Sequence, residues 1–479
     1  MATRTKIDPF NIIIFGGDGD LSKRKIIPAL YFRFTENQLK LPFTVIPVSR
    51  KMSDLQSFID LVDEYLPKTA TAEKKKAFFE NFELANIPKH TPEEYGKLTE
   101  IIQRNPNRQN VYYFSVPSSA FGEICSCLGQ ANLINDLSKV VLEKPLGHDL
   151  ESSTAINDLI SSYFKEKQIF RIDHYLGKET VQNLMVLRFA NHLFERAWNA
   201  ENVESIQITV AESLGVEKRA GYYDDTGALL DMVQNHLLQL LCLVAMEPPA
   251  TLDPDAVRNE KLKVLQSLRP MDKSSIAEHV VRGQYTRGTV NNDQLNSYLE
   301  DIERYESETE TFVALKTYID NWRWKNVPIY LRTGKRMKKR YSDIVLNFKE
   351  MPHSIFPDSK FPLSNKLIIR LQPEERIELV QLSKVPGPGG YRFQPISLKL
   401  DFVDSFDNRM PDAYERLIID ILRGNQTLFM RKDELEAAWK WIESITRIWK
   451  KQVPIKLYES GGWGPGDEIL DEGTKWQTK

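Results

Sequence analysis

The sequence predicts an α/β N-terminal Rossmann-type domain with a parallel sheet, plus a larger α+β domain with a mostly antiparallel sheet. Through about the first 170 residues, short apolar runs alternate with helical patterns, the order that builds right-handed βαβ units. Beyond that point, extended runs follow one another with little helix between them, which favours antiparallel pairing. The 479 residues also exceed the roughly 250–300 that one hydrophobic core supports.

The same patterns place a domain boundary near residue 175, so we assign 1–175 to the first domain and 176–479 to the second. Strands of the first domain are expected at 11–15, 43–48, 111–116, 140–142 and 169–172. Strands of the second domain are expected at 205–210, 328–331, 342–348, 367–371, 377–382 and 396–402. Helices are expected at 22–35, 228–246 and 413–450. Pro28 must kink the first helix or lie near its start, because proline lacks an amide hydrogen.

Composition argues against several classes of protein. The 64 basic and 66 acidic residues leave a net charge of -2, so nothing global indicates a nucleic-acid or membrane partner. The three cysteines are too few for a disulfide framework, and no zinc spacing is found. The most apolar stretch, 237–246, is far shorter than the ~20 residues that span a bilayer. Because the N-terminal residues lack a signal-peptide pattern, we expect a cytoplasmic protein. We also expect that the chemistry of this protein needs no metal.

A glycine-rich turn follows the first strand and precedes a helix. It reads Gly16-Gly17-Asp18-Gly19-Asp20-Leu21-Ser22, a G-x-G-x-x-small pattern. Glycines here let the backbone approach a pyrophosphate, and the helix N-terminus supplies free amides and partial positive charge. In this context the turn predicts a dinucleotide site, and an ordinary glycine turn is the alternative.

The end of the second strand distinguishes the two nicotinamide dinucleotides. NAD enzymes usually carry Asp or Glu there, which bonds the ribose 2′-hydroxyl. Here the strand ends in Ser49-Arg50-Lys51, with two cations and no carboxylate. The pattern favours NADP, whose 2′-phosphate the cations would bind, and a solvated basic loop is the alternative interpretation.

Acids, bases and cations are concentrated in three later segments. Glu143-Lys144-Pro145 follows a buried-looking strand, at the edge where parallel sheets bind ligands. Residues 171–178 hold an acid, an imidazole, a phenol and two cations, and 221–236 add further acids and an imidazole. Only His174 and His236 of the seven histidines lie among such groups. An imidazole beside a carboxylate is a suitable base for oxidising an alcohol, and the cations suit a phosphorylated substrate.

Asp231 and His236 are five residues apart, which in a regular α-helix turns their side chains roughly 140° away from each other. Either the helix begins near Asp231, or the two side chains touch different sides of a substrate. The sequence leaves both possibilities open.

The run Arg-Ile-Asp-His-Tyr-Leu-Gly-Lys-Glu at 171–179 closely resembles the signature of the glucose-6-phosphate dehydrogenase family. Other segments resemble that family in the same order: FGGDGDLSKRK at 15–25, EKPLG at 143–147, VQNLMVLRFAN at 181–191, DMVQNHLLQLLCLVAM at 231–246, RTGK at 332–335, RLQP at 370–373 and PDAYERLIIDILRGNQTLF at 411–429. Together they extend over nearly the whole chain, so the ordered set is far more specific than any single match.

The resemblance implies oxidation of glucose 6-phosphate at C1 to 6-phosphoglucono-1,5-lactone with formation of NADPH, the first step of the oxidative pentose phosphate pathway. It implies that His236 is the general base and that Asp173 orients it. The substrate-binding residues that it implies are His174, Tyr175 and Lys178 for the phosphate, Glu212 and Asp231 for the sugar hydroxyls, and Lys335, Arg340 and Lys144 for the rest of the pocket. The NADP-binding residues that it implies are Gly16, Gly17, Asp18, Gly19, Asp20, Leu21, Arg50 and Lys144. A homodimer or homotetramer, formed through the sheet of the larger domain, is also implied.

Departures from the family pattern are few. Asp18 stands where relatives often carry Ser, Thr or Lys, and we expect its carboxylate to point away from phosphates that it would repel. Arg332 and Arg370 match positions of a second, structural NADP site in longer relatives, but residues 461–479 do not match, so no second site is predicted.

Two rival functions are weighed against this interpretation. One is a dehydrogenase of unphosphorylated hexose or of other hexose 6-phosphates. A free sugar would leave the pocket's cations poorly paired, which disfavours it. The other is a catalytically silent, NADP-sensing protein, which would not need the acid, base and anchor residues that this chain carries.

Overall fold

The computed structural model describes residues 6–217, 220–290, 292–356, 364–401 and 409–478, with the backbone alone at 222. The strands are β1 Phe10–Phe15, β2 Phe43–Ser49, β3 Ala85–Asn86, β4 Gln109–Phe114, β5 Lys139–Leu142, β6 Ile169–Ile172, β7 Val203–Ala211, β8 Val280–Thr286, β9 Gly288–Val290, β10 Asp293–Leu295, β11 Phe312–Thr317, β12 Ile329–Gly334, β13 Tyr341–Phe348, β14 Lys366–Gln372, β15 Arg376–Lys384, β16 Phe393–Asp401, β17 Phe429–Met430 and β18 Ile455–Glu459.

The α-helices are Ile27–Thr35, Leu55–Asp63, Ala72–Phe79, Gly96–Gln103, Phe121–Gln130, Leu150–Ser161, Glu179–Phe189, His192–Ala197, Ala220–Ala228, Leu238–Ala245, Pro254–Gln266, Lys273–His279, Tyr298–Asp301, Ala413–Arg423 and Lys432–Gln452. Two segments are π-helical, Ser22–Ile26 and Leu229–Leu237. Short 3₁₀ turns occupy Pro92–Tyr95, Ser118–Ala120, Glu166–Gln168, His174–Gly177 and Asp467–Ile469.

The chain divides into two compact units. The first comprises Met1–Gly177, Ala250–Arg258 and Pro411–Glu436, and the second comprises Lys178–Pro249, Asn259–Met410 and Ala437–Lys479. Residues 250–258 and 411–436 belong to the first unit, whereas the boundary expected near residue 175 places them in the second domain. The later of these segments joins the first unit because β17 extends the sheet of that unit beside β6, and helix Ala413–Arg423 packs against helix Ile27–Thr35.

The sheet of the first unit has the strand order β17-β6-β5-β4-β1-β2-β3. Its strands are parallel except for β17, which runs antiparallel to β6. The strand order reverses between β1 and β4, and ligands of such sheets bind at the carboxyl ends of the strands beside that point. Strands β1, β2 and β4 are buried along their whole length, as parallel strands covered on both faces must be. The predicted Rossmann-type domain is confirmed.

The helix expected at 22–35 is present, and Pro28 lies in its second part. A π-helical stretch, Ser22–Ile26, leads into the α-helix Ile27–Thr35, and Pro28 occupies the first turn of that α-helix. Proline is tolerated there because a first-turn amide has no partner within the helix.

The second unit contains a nine-stranded sheet of order β16-β15-β14-β13-β7-β12-β11-β8-β18. Neighbouring strands are antiparallel except for the parallel pairs β7–β12 and β8–β18. This confirms the predicted mostly antiparallel sheet. All six strands expected there are found within it, and β8, β11 and β18 were missed. A core of aromatic side chains packs on it, including Tyr285, Phe312, Tyr330 and Tyr341.

One of the predicted helices differs from expectation. The helix expected at 413–450 is two helices, because Gly424 ends the first and β17 intervenes before the second. Among the described residues, one helix, Tyr223–Ala245, has the length and apolar character of a membrane span, but 94% of its most apolar window is buried in the protein. It is placed as a core helix would be.

Candidate active site

The glycine turn after β1 lies at the carboxyl edge of the parallel sheet, with Gly16 and Gly19 partly exposed. Gly16 has a φ of 77°, and a Cβ built on it would lie 2.4 Å from the Ser115 carbonyl oxygen, so only glycine fits. The Gly19 amide donates to the Gly16 carbonyl at 3.0 Å and closes the turn. The Asp20 side chain is 79% exposed and lies 3.5 Å from Lys23 Nζ. This turn fits a dinucleotide pyrophosphate, and the orientation expected for Asp18 stays a prediction.

Arg50 is exposed in a tight turn at the end of β2. Ser49 Oγ accepts hydrogen bonds from the amides of Lys51 and Met52, at 3.2 and 3.1 Å, and so fixes the turn. Burial lowers the pKa of His90, and the positive charge of Arg50 lowers it further. Arg50 is thus an exposed cation at the carboxyl end of β2, the strand beside β1, and its role towards a ribose 2′-phosphate stays a prediction.

Lys144 and Asp173 follow neighbouring parallel strands, β5 and β6, and therefore leave the sheet at the same edge. Asp173 is 1% exposed, and its Oδ1 accepts a hydrogen bond from the Tyr175 amide at 2.9 Å. This bond holds the carboxylate at the start of the 3₁₀ turn that carries His174 and Tyr175. The structure brings the EKPLG and RIDHYLG segments to one edge, as predicted for a parallel sheet.

Three residues that sequence reasoning missed lie at this edge. Tyr113, in β4, donates its hydroxyl to Glu143 Oε1 at 2.6 Å, and Tyr414 also hydrogen-bonds that carboxyl. Burial raises the pKa of Glu143 to about 7. The signal was present for two of them, because Glu143 and Tyr414 fall within the EKPLG and PDAYERL segments. We call Tyr113, Glu143 and Tyr414 the Glu143 triad.

In the second unit, parallel pairing brings Glu212 and Lys335 together. Ala211, the last residue of β7, is in register with Gly334, the last residue of β12, so the residues that follow leave the sheet side by side. The Lys335 ammonium donates a hydrogen bond to the Glu212 carboxylate. It also lies 3.6 Å from Asp231 Oδ2.

The Tyr223 ring completes this group, which we call the Lys335 cluster: Glu212, Tyr223, Asp231 and Lys335. Lys335 Nζ lies 5.2 Å from the ring centroid, within range of a cation–π interaction. Burial raises the pKa of Tyr223 well above its ordinary value, and the Asp231 charge adds to this, so the phenol is neutral. Two carboxylates, an ammonium and a phenol in one place can bond the hydroxyls of a sugar.

Asp231 and His236 both lie in the π-helical segment Leu229–Leu237. The expected 140° separation assumed an α-helix and is wrong here, because π-helical hydrogen bonds join residues i and i+5. Residues five apart therefore lie nearly above one another. Both side chains are buried, with 4% and 1% of their surface exposed.

Lys178 and Arg340 are two further residues that were predicted to bind the substrate. Lys178 occupies the N-cap position of helix Glu179–Phe189. Arg340 is exposed, and its Nε donates a hydrogen bond to Gln372 Oε1 at 2.8 Å. The roles of both residues stay predictions.

Comparison with known proteins gives concordant matches along the chain. Residues 13–183 match the NAD-binding domain model of glucose-6-phosphate dehydrogenase, and residues 185–477 match its C-terminal domain model. A glucose-6-phosphate 1-dehydrogenase of Rhizobium meliloti is 46% identical over 97% of this chain and 96% of its own length. The enzyme of that name from Mycolicibacterium smegmatis is 44% identical over 99% and 98%.

A solved structure of a glucose-6-phosphate dehydrogenase in complex with its substrate glucose-6-phosphate superposes with a TM-score of 0.90. It is 34% identical to this chain and the match covers 100% of both chains. The family models together extend over nearly the whole sequence, and the two relatives exceed two-fifths identity over the same span. The chain therefore belongs to the glucose-6-phosphate dehydrogenase family, whose members are oxidoreductases.

Proposed function

We propose that the chain oxidises glucose 6-phosphate at C1 to 6-phosphoglucono-1,5-lactone and reduces NADP, the first step of the oxidative pentose phosphate pathway. The observation that carries the proposal is the Lys335 cluster, in which Lys335 contacts Glu212 and lies 3.6 Å from Asp231, on the helix that also carries His236. Asp231, one of the hydrogen-bonding groups for a sugar, thus lies on the same helical segment as the proposed base.

His236 is proposed as the general base that takes the C1 hydroxyl proton. Asp173 is proposed to orient the imidazole and to stabilise its cation once the proton has moved. The hydrogen bond from the Tyr175 amide supports this role, because it holds the Asp173 carboxylate in one orientation. His174, Tyr175 and Lys178 are proposed to hold the sugar phosphate, and Lys144, Lys335 and Arg340 the remainder of the substrate.

The cofactor proposed is NADP, held by the turn at 16–21, by Arg50 and by Lys144. When bound, it supplies the acceptor for the hydride that leaves C1. Support for the turn comes from Gly16, where any Cβ would collide with Ser115. Support for NADP over NAD comes from Arg50, an exposed cation at the end of β2 where NAD enzymes carry a carboxylate.

We also propose a homodimer or homotetramer that is formed through the sheet of the second unit. The edge strand β16 exposes an apolar row, with Ile396, Leu398 and Leu400 at 39%, 54% and 43% exposure. Alternate residues of a strand share a face, so the three side chains form one stripe. A cytoplasmic location is proposed as well, since the three cysteines are free.

The test is the absorbance of reduced nicotinamide when purified protein is mixed with glucose 6-phosphate or glucose, and with NADP or NAD. The proposal expects rapid reduction of NADP with the phosphorylated sugar alone. Activity on free glucose would indicate the sugar-dehydrogenase rival. Binding of NADP without reduction of either cofactor would indicate a silent sensor.

A further inference from the structure

The Glu143 triad is a buried network that the proposed mechanism does not use. Tyr113 is fully buried in β4 and donates a hydrogen bond to Glu143 Oε1 at 2.6 Å. Tyr414, in the helix Ala413–Arg423, hydrogen-bonds the same carboxyl. Buried polar networks of this kind fix the side chains around them when every member is paired. Glu143 directly precedes Lys144, so a constraint on Glu143 also constrains the backbone of Lys144.

The charged groups that face Glu143 are those proposed to act on the substrate. The charge of Lys144 favours the carboxylate form of Glu143, and the charge of Asp173 disfavours it. The hydroxyls of Tyr113 and Tyr414 favour the carboxylate by donating to it. Burial opposes all three favourable contributions and is the largest effect, so the pKa of Glu143 rises to about 7.

Tyr414 links Glu143 to His174. Its ring lies nearly parallel to the His174 imidazole, with the centroids 6.2 Å apart and the planes inclined by 12°. Tyr414 is itself held at the start of helix Ala413–Arg423, where its amide donates to Asp412 Oδ1 at 3.0 Å. Lys25 forms a 2.7 Å ion pair with Asp412, which ties that helix start to the segment after the glycine turn.

We propose that Glu143 is a positioning residue, which holds Lys144 and, through the ring of Tyr414, His174 in the arrangement that the reaction uses. The proposal rests on the proposed function, because Lys144 and His174 are assigned to the substrate there. Tyr113 acts through Glu143, to which its hydroxyl donates a hydrogen bond. We therefore expect the pH profile of the activity to contain an ionisation of Glu143 near neutral pH.

The experiment compares Glu143→Gln, Tyr113→Phe and the control Tyr112→Phe. Tyr112 neighbours Tyr113 in β4, is equally buried, and bonds the Leu133 carbonyl instead of Glu143. The first readout is difference infrared spectroscopy of the cofactor-free protein, which follows the C=O band of a protonated carboxylic acid through a pH titration. Because this readout needs no turnover, it reports on Glu143 even if the proposed reaction is wrong.

Glu310 and Asp343 are also buried carboxyls whose pKa is raised to about 7, so their bands persist in every variant. The proposal therefore expects a Glu143 component of the titrating band, obtained as the difference between wild type and Glu143→Gln, that is unchanged in Tyr112→Phe. In Tyr113→Phe the midpoint moves up by about one pH unit, because a hydrogen bond to a charged group favours the carboxylate by roughly that amount. The pH profile of kcat/KM for glucose 6-phosphate moves by the same interval, with its plateau within about threefold of the wild type.

A structural role alone would lower the plateau or the stability of Tyr113→Phe without moving either midpoint, and that result would overturn the proposal. So would a Glu143→Gln variant in which the titrating infrared band keeps the full amplitude that it has in the wild type. If the band behaves as expected but no protein reduces NADP, Glu143 is a buried proton-binding residue and the proposed reaction is wrong.

Discussion

Asp231 and His236 lie five residues apart in one π-helical segment, so that both face the same side of the helix. Asp231 is held 3.6 Å from Lys335, which contacts Glu212 in turn. Asp231, which is proposed to bind a sugar hydroxyl, is thereby fixed in relation to His236, the proposed general base. π-Helical turns occur frequently at functional sites, and here the turn resolves the conflict between a five-residue spacing and a shared face.

Gly227 sets where that segment begins. It breaks the helix with φ 69° and ψ 176°, and a Cβ built on it would lie 2.3 Å from Glu310 Oε1. We expect Gly227→Ala to lower the free energy of unfolding by at least about 2 kcal/mol, since this conformation is essentially restricted to glycine. Urea denaturation measures the change.

The matched control is Gly221→Ala, in the helix Ala220–Ala228, where an added Cβ meets no atom of the described residues within 4 Å. Its effect should be neutral or stabilising, because alanine is a better helix former than glycine. Equal effects of the two substitutions would contradict the strained conformation assigned to Gly227.

Glu310 holds the start of the π-helical segment from outside. It is 4% exposed, its Oε1 accepts a hydrogen bond from the Leu229 amide at 3.1 Å, and burial raises its pKa to about 7. Between the ordinary pKa near 4.5 and this value, the folded state binds more protons than the unfolded state, so the free energy of unfolding falls as pH rises. Glu310→Gln removes this contribution.

We therefore expect Glu310→Gln to gain stability relative to the wild type, by about 3 kcal/mol, as the pH is raised from 4.5 to above 7. Urea denaturation of the two proteins at several pH values measures the difference. Parallel curves for the two proteins would show that folding leaves the pKa of Glu310 unchanged and would contradict the assignment.

Arg50 is predicted to distinguish the two cofactors. Arg50→Ala should weaken NADP binding by about 10-fold or more and leave NAD binding nearly unchanged, because a charge-assisted bond to the 2′-phosphate is lost. Isothermal titration with each dinucleotide measures both affinities. Arg447→Ala, at an exposed arginine paired with Glu443, is the control and should alter neither. Equal losses for NADP and NAD in Arg50→Ala would refute the role.

Leu398 is predicted to lie in an interface between copies of the chain. It is 54% exposed in the middle of the apolar stripe of β16. A buried carboxylate without a partner is costly, so Leu398→Glu should shift the protein towards the monomer at micromolar concentration. Sedimentation velocity measures the distribution, and Leu457→Glu, at an exposed leucine of the opposite edge strand β18, is the control. An unchanged distribution of oligomers in Leu398→Glu would show that this face of β16 is not an interface between copies of the chain.

The parallel sheet could be predicted because its strands are continuous apolar runs followed by turns, as in β1. Strand β8 was missed because Arg282 and Gly283 interrupt its pattern. Arg282 is nevertheless buried, since it donates to the Val453 carbonyl at 3.2 Å and stacks over Trp449. The sequence pattern does not reveal such partners, which lie far along the chain.

The residues of the candidate site could be predicted better than their arrangement. Lys335 and Glu212 are 123 positions apart and meet only because β7 and β12 run parallel in register. The π-helical register of 229–237 likewise depends on packing, because the same residues fit an α-helix by local propensity. Tyr113 lies in an apolar strand and resembles a core residue until its bond to Glu143 is seen.

The most direct test of the account is the kcat of His236→Asn with glucose 6-phosphate and NADP, compared with His192→Asn at an exposed histidine. Removal of the general base should reduce kcat by about 10²-fold or more, with little change in the affinity for the sugar phosphate, while the control keeps wild-type activity. A decrease of only a few-fold in His236→Asn would contradict the assignment of His236 as the base.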